Sequence, residues 1–308
     1  LQIILKNWRG NMFRTFPAPV RGCISLLGYA LNSFFWFPVI LFIALLRALV
    51  PLKAWQRWCG RLANGAAENW ICVNHINQKL TGKTRIEVQG LDDLKRSEWY
   101  LVLANHQSWV DILVLQRIFN RRIPFLKFFI KKQLFWFPVL GQAWWALDFP
   151  FVKRYKASLL KKKPHLKGKD IEITKKACKK FKTLPVSVMN FVEGTRFTET
   201  KRRRQQSPYT NLLKTKAGGI ASVLAAMGEQ IDRVLDVTIV YPQGGRSFWS
   251  FLCGNIKEIK VRVKALPVSH EQLGDYANDR NFRKKFQDWL NTIWEEKDHN
   301  INGMLNSE

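Results

Sequence analysis

Two short segments of this 308-residue chain hold side chains that could move a proton and grip an anion. The first is NHQSWVD, Asn105 to Asp111, which follows the apolar run WYLVLA without a break. An imidazole titrates close to neutrality. A carboxylate held against one ring nitrogen fixes the tautomer and stabilises the imidazolium, leaving the other nitrogen to take a proton from an alcohol. His106 and Asp111 are not spaced to stack on one regular helix face. They meet if His106 lies in the turn after a strand and Asp111 in the first turn of the next helix. Ser108 is too close to His106 for a hydrolase triad and has no G-x-S-x-G elbow, so direct attack by an acceptor hydroxyl is the simpler chemistry. Taken alone, a histidine and an aspartate in one loop are more often structural.

The second segment, FVEGTRF from Phe191 to Phe197, also ends an apolar run. Gly194 permits a tight turn, and the planar fork of Arg196 suits a phosphate. Glu193 either orients that arginine or caps the turn. A general base and a phosphate fork at two strand ends together fit a phosphate-bearing acceptor.

Positioning these loops requires a sheet. Ile86 and Val88 alternate before Gly90, and three continuous apolar runs (Tyr100 to Ala104, Val186 to Val192, Val234 to Tyr241) read as buried strands. Ile259, Val261 and Val263 alternate with charged residues, as in a half-exposed strand. Helical stretches lie between them, which predicts an α/β domain with a mixed sheet flanked by helices. Sites in open α/β sheets sit at strand ends of this kind. Phe282, Phe286, Trp289, Leu290 and Ile293 share one face of a late amphipathic helix that packs on the domain.

The stretch from Gly22 to Leu46 has no charged residue and is bracketed by Arg21 and Arg47. About 20 apolar residues cross a bilayer core, so the run reads as a retained anchor. Asn32, Ser33 and Pro38 leave open whether it spans or forms a re-entrant hairpin. The net charge of +27 draws anionic partners. Basic runs at Lys153 to Lys182 and Lys201 to Arg204 are either solvated faces or surfaces for anionic headgroups. No nucleic-acid module accompanies the charge, so a nucleic-acid partner is not expected. Five scattered cysteines without C-x-x-C spacing argue against a zinc site and a disulfide framework.

Four motifs then occur in order: NHQSWVD, DFPFVKR (Asp148 to Arg154), FVEGTR and VLDVTIVYP (Val234 to Pro242). In that order they resemble the glycerol-phosphate acyltransferase superfamily, and within it the bacterial 1-acylglycerol-3-phosphate (lysophosphatidic acid) acyltransferase branch. The resemblance covers roughly residues 80 to 265. It departs from the family pattern at Val192, where proline is usual, and at Asp148, where glycine is usual. The resemblance implies His106 as general base with Asp111 as its partner. It also implies an acceptor-phosphate group of Arg154, Glu193, Gly194, Thr195 and Arg196. The implied reaction moves a fatty acyl group from acyl-CoA or acyl carrier protein to the sn-2 hydroxyl of lysophosphatidic acid, giving phosphatidic acid, with no metal and no cofactor. Another lysophospholipid, such as lysophosphatidylglycerol, is the alternative acceptor; a catalytically dead membrane scaffold is a more distant one. The expected partners are the acyl donor, the lysophospholipid and an anionic phospholipid membrane, and the expected place is a bacterial inner membrane with the domain facing the cytoplasm. The expected organisation is an anchoring segment at 1–65, an acyltransferase domain at 66–268 and a C-terminal helix and tail at 269–308.

Overall fold

The computed structural model of the chain describes residues 15–152, 178, 181, 184–244, 247–276 and 278–306. Two long helices come first, α1 (Ala18–Leu49) and α2 (Lys53–Thr81). Asn77 donates to the Ser25 carbonyl and Asn32 donates to the Trp70 carbonyl and Asn74, so the two run antiparallel as a hairpin stitched by polar side chains. Pro38 lies inside α1 without ending it, which makes the charge-free run a single helix rather than a broken pair. At 32 residues α1 is long and apolar enough to cross a membrane, and only 11% of its most apolar stretch is buried, unlike the core helix of a soluble domain. Leu31, Phe34, Phe35 and Phe42 all stand exposed on it. The boundary expected at 65/66 falls within α2, which runs unbroken across it because no helix breaker stands there. Gly65 itself meets no neighbour that would resist a side chain.

The sheet strands follow as β1 (Arg85–Gln89), β2 (Tyr100–Ala104), β3 (Leu126–Phe128), β6 (Ser187–Phe191), β7 (Arg233–Val240) and β8 (Glu258–Pro267). The short strands β4 (Ile130–Lys131) and β5 (Phe151–Val152) pair separately. The six-stranded order is β1-β8-β7-β2-β6-β3, with β7 and β8 antiparallel and every other pair parallel. The remaining helices are α3 (Val110–Phe119), α4 (Leu140–Ala146), α5 (Glu199–Gln205), α6 (Ala217–Met227), α7 (Phe248–Leu252) and α8 (Arg280–Asn306).

The chain steps from β2 through α3 to β3, past β6, and from β6 through α6 to β7, past β2. These steps run in opposite directions, and right-handed crossovers then place α3 and α6 on opposite faces. The side chains agree: Tyr100, Val102 and Ala104 join the core under α2 and α3, while Leu101 and Leu103 join the core under α6 and α8. Strand alternation thus splits one apolar run between two cores. On α8, Phe286, Leu290, Ile293 and Trp294 are buried. So is Lys297, whose ammonium lies 2.7 Å from Asp236 of β7 and donates to the Val237 carbonyl. Burial, only partly offset by the partner charge, pushes Asp236 up and Lys297 down.

Candidate active site at the ends of two central strands

β2 and β6 lie side by side at the middle of the sheet, and the loops leaving their C-terminal ends meet. The joint is made of backbone. Val192 N–H donates to the Ala104 carbonyl, and Phe197 N–H donates to the His106 carbonyl at 2.7 Å. Asn105, fully buried, continues the ladder on the other side. Its amide donates to the Ile239 carbonyl at 2.9 Å, and its oxygen accepts the Ile239 N–H at 2.8 Å. The asparagine of NHQSWVD is therefore a clasp to β7, not a reacting group.

His106 turns its Nδ1 to Asp111 at 2.9 Å, and its ring stacks on Phe191 with centroids 3.8 Å apart. Asp111 stands in the first turn of α3 and is wholly buried. The same oxygen, Oδ2, also accepts the Gln107 and Ser108 N–H groups at 2.6 and 2.8 Å, and Oδ1 accepts the Tyr241 hydroxyl at 2.6 Å. Four donors thus hold this carboxylate, and through it the ring. Nε2 of His106 has no hydrogen-bond partner among the described residues, and the imidazole remains partly exposed, at 13%. With one nitrogen fixed and the other unpartnered among the described residues, the ring has the geometry that proton transfer to or from an alcohol requires. Ser108 is buried, its backbone engaged with Asp111 and its hydroxyl with the Val110 N–H.

The loop after β6 is built differently. Gly194 takes φ +66°, a left-handed turn that favours glycine, and its N–H closes back on Phe191. Glu193, expected in the acceptor-phosphate group, is completely buried instead. Its two oxygens accept the backbone N–H groups of His106 and Leu213, each at 2.9 Å. It neither pairs with Arg196 nor caps the turn; it ties three segments together from beneath. Burial pushes its carboxyl up to about 7, against the pull of those two N–H bonds. Arg196 does point outward, with its guanidinium 4.8 Å above the exposed ring of Trp109. Thr195 accepts from the Lys201 ammonium at 3.0 Å, and the same ammonium donates to the Arg196 carbonyl at 2.8 Å.

The basic cluster at Lys201 to Arg204 is consequently not one free face. Lys201 folds onto the site, Arg202 and Arg203 pair with Glu199, and Arg204 is exposed. Arg154 and nearly all of the run from Lys153 to Lys182 lie outside the described residues. Asp148 adopts φ +57°, the conformation that explains glycine at this place in the family pattern, and its carboxylate pairs with Arg47 of α1. Sequence reading missed Tyr241, Trp109 and Lys201. Tyr241 carried a usable signal: it follows Leu235, Val237 and Ile239 on one strand face, and a buried phenol there needs an acceptor.

Among known proteins, the family model described as Acyltransferase matches residues 85–242, just over half of the chain, and that span contains both loops. A probable 1-acyl-sn-glycerol-3-phosphate acyltransferase 5 of Arabidopsis thaliana is 23% identical over 296 residues, covering 92% of this chain and 73% of that protein. The 1-acyl-sn-glycerol-3-phosphate acyltransferase alpha of Homo sapiens is 27% identical over 175 residues, 56% of this chain and 54% of that one. Thus the chain spans only about half the length of several such relatives and nearly three quarters of the first of these. The crystal structure of the 1-acyl-sn-glycerophosphate (LPA) acyltransferase PlsC from Thermotoga maritima superposes with a TM-score of 0.52 at 13% identity, covering 93% of this chain and all of that one, a likeness of fold.

Proposed function

We propose, from the premise that this chain belongs to the acyltransferase family, that it acylates the sn-2 hydroxyl of lysophosphatidic acid at a membrane surface to give phosphatidic acid. The observation that carries this reading is the His106 ring pinned by Asp111, its Nε2 unpartnered among the described residues, with an outward arginine on the neighbouring loop. In the proposed step Nε2 takes the proton of the acceptor hydroxyl as its oxygen attacks the thioester carbonyl of acyl-CoA or acyl carrier protein. The tetrahedral intermediate then expels the thiolate, which receives that proton from the imidazolium and leaves as the free thiol. Asp111 balances the transient positive charge. No metal or cofactor enters this sequence. Arg196, with Arg154, Gly194 and Thr195 at the same acceptor subsite, is proposed to hold the phosphate, its bidentate fork matching two phosphate oxygens. Glu193 serves beneath them as a brace.

The exposed apolar face of α1 supports attachment to a bilayer, with the acyltransferase domain and α8 beside it. Placement in a bacterial inner membrane, with the domain facing the cytoplasm and anionic phospholipid beneath it, belongs to the same proposal and rests on the motifs and the net charge of +27. The test is to give the detergent-purified chain a panel of lysophospholipids with labelled acyl-CoA and resolve the products. Phosphatidic acid should dominate. Preferential labelling of phosphatidylglycerol would move the acceptor to lysophosphatidylglycerol, and no acyl product from any acceptor would overturn the reading.

A further inference from the structure

A cavity of about 680 Å³ opens between the α1–α2 turn and the outer edge of the sheet. It is lined at the starts of β3 and β6, by Lys127 and Val186, whereas Glu193 lies beyond the far end of β6. At about 3.3 Å per residue, the length of β6 and its flanks sets Val186 roughly 20 Å from that loop, while the wall at Lys127 and Asp148 lies nearer, next to Phe128 and Phe149. None of its lining residues belongs to the catalytic loops.

Its walls are basic and its floor is apolar. Arg47 comes from the end of α1, and Lys53 and Arg57 from the first turns of α2. Lys127 reaches in from β3, buried, with its ammonium 5.2 Å above the ring of Phe181. The only carboxylate among the described lining residues is Asp148, already paired with Arg47. Lys53 and Arg57 have no carboxylate partner among the described residues, so among these the concave surface carries an excess of positive charge. Gly60 keeps the α2 wall low: a Cβ there would already stand 3.2 Å from Leu184.

We propose that this cavity binds the phosphate of an anionic bilayer phospholipid, at a site separate from the acceptor subsite. The chain around its cations favours a lipid over a soluble phosphate. Leu49, Leu52 and Trp58, neighbours of Lys53 and Arg57 in the chain, are exposed by 75%, 65% and 50%. Large apolar side chains next to cations at the end of an apolar helix are the composition of a bilayer interface, and basic pockets between membrane-associated helices take phospholipid headgroups. The proposal leans on membrane attachment from the preceding reading, and its test is independent of acyl transfer.

The probe is monomeric dihexanoyl-phosphatidylglycerol, titrated into the full chain in neutral detergent, with dihexanoyl-phosphatidylcholine, coenzyme A and inorganic phosphate as parallel arms. Binding is read by calorimetry and by the shift in unfolding temperature. The anionic lipid should bind saturably, and Lys53→Glu/Arg57→Glu should weaken it by at least about tenfold, since each charge-assisted phosphate contact is strong. The conservative Lys53→Arg/Arg57→Lys pair should retain binding, which keeps the test valid if the charge reversal does not fold. Equal binding by the wild-type and charge-reversed proteins would overturn the site. So would loss of lipid binding in the conservative pair. Binding of coenzyme A or phosphate that the reversal abolishes, without a response to phosphatidylglycerol, would overturn the lipid assignment and make the cavity a site for a soluble phosphate.

Discussion

The loops after β2 and β6 are neighbours built on opposite plans. The first gathers four donors around Asp111 and presents the partly exposed His106 ring. The second buries a carboxylate with only two donors, Glu193, and turns its arginine outward onto Trp109. In both, a buried acid accepts backbone N–H groups, yet one acts on the ring and the other on the frame. Where the acid's oxygens are crowded with donors it can hold a charge that comes and goes on the neighbouring imidazole. Where they meet two amides across three chain segments, it sets distances.

The largest effect should come from breaking the first loop. His106→Ala should lower acyl transfer by about 100- to 10,000-fold with an unchanged unfolding temperature. A folded variant with normal turnover would sink the assignment of the base. Asp111→Asn should be severe as well, because an amide in that place sets its own N–H groups against some of the four donors. The outward half of the second loop comes next. Arg196→Ala should raise the acceptor's KM by roughly tenfold or more, with a smaller change for the donor, as expected for a lost charged contact to phosphate. Steady-state titration of each substrate separates the two, and a rise confined to the donor would invert the assignment.

Breaking the inward half should speak in stability. Glu193→Gln should cost on the order of 1–2 kcal/mol by denaturant unfolding, since one of two buried N–H groups then faces another donor. It should also alter the pH dependence. The folded protein keeps the Glu193 proton up to about pH 7, against an ordinary value of 4.5. Between these values the folded state binds more protons than the unfolded chain, so this group's contribution is fully present below 4.5 and is lost as the pH rises through 7. The wild type should therefore lose stability relative to the glutamine variant across that window; parallel curves would show that the carboxyl does not titrate there. The smallest expected effect belongs to the bridge between the loops. Trp109→Ala should raise the acceptor's KM only a few-fold, the scale of one exposed cation–π contact of about 0.5–1 kcal/mol.

Much of this frame was legible beforehand because it follows from periodicity. The continuous apolar runs at Tyr100, Val186 and Val234 end within a residue or two of β2, β6 and β7. His106 and Asp111 were legible because a strand-end turn followed by a first helical turn brings that spacing together. Glu193 was misread because E-G-T-R gives residue types but not the direction a carboxylate takes. That direction depends on Leu213, 20 positions away in the chain and invisible to any local pattern. Tyr241 and Lys201 were missed for the same reason, their partners being set by the packing of distant segments. The division at 65/66 falls inside α2 because a charge-free run marks where apolar surface is needed, whereas a helix ends only where capping or tertiary contact stops it.

The pairing of β1 with β8, and of Lys297 with Asp236, has a consequence for how the protein is made. A ribosome delivers α1 before the sheet can close, while β1 waits for a strand that begins at residue 258 and Asp236 waits for a helix that begins at residue 280. Until then the edge of β7 that β8 will cover lies open, and a carboxylate destined for the interior has no counterion. Such late, long-range closure is slow and exposes aggregation-prone edges. Under the proposed membrane attachment, α1 would tether the chain during the interval in which its sheet is unfinished.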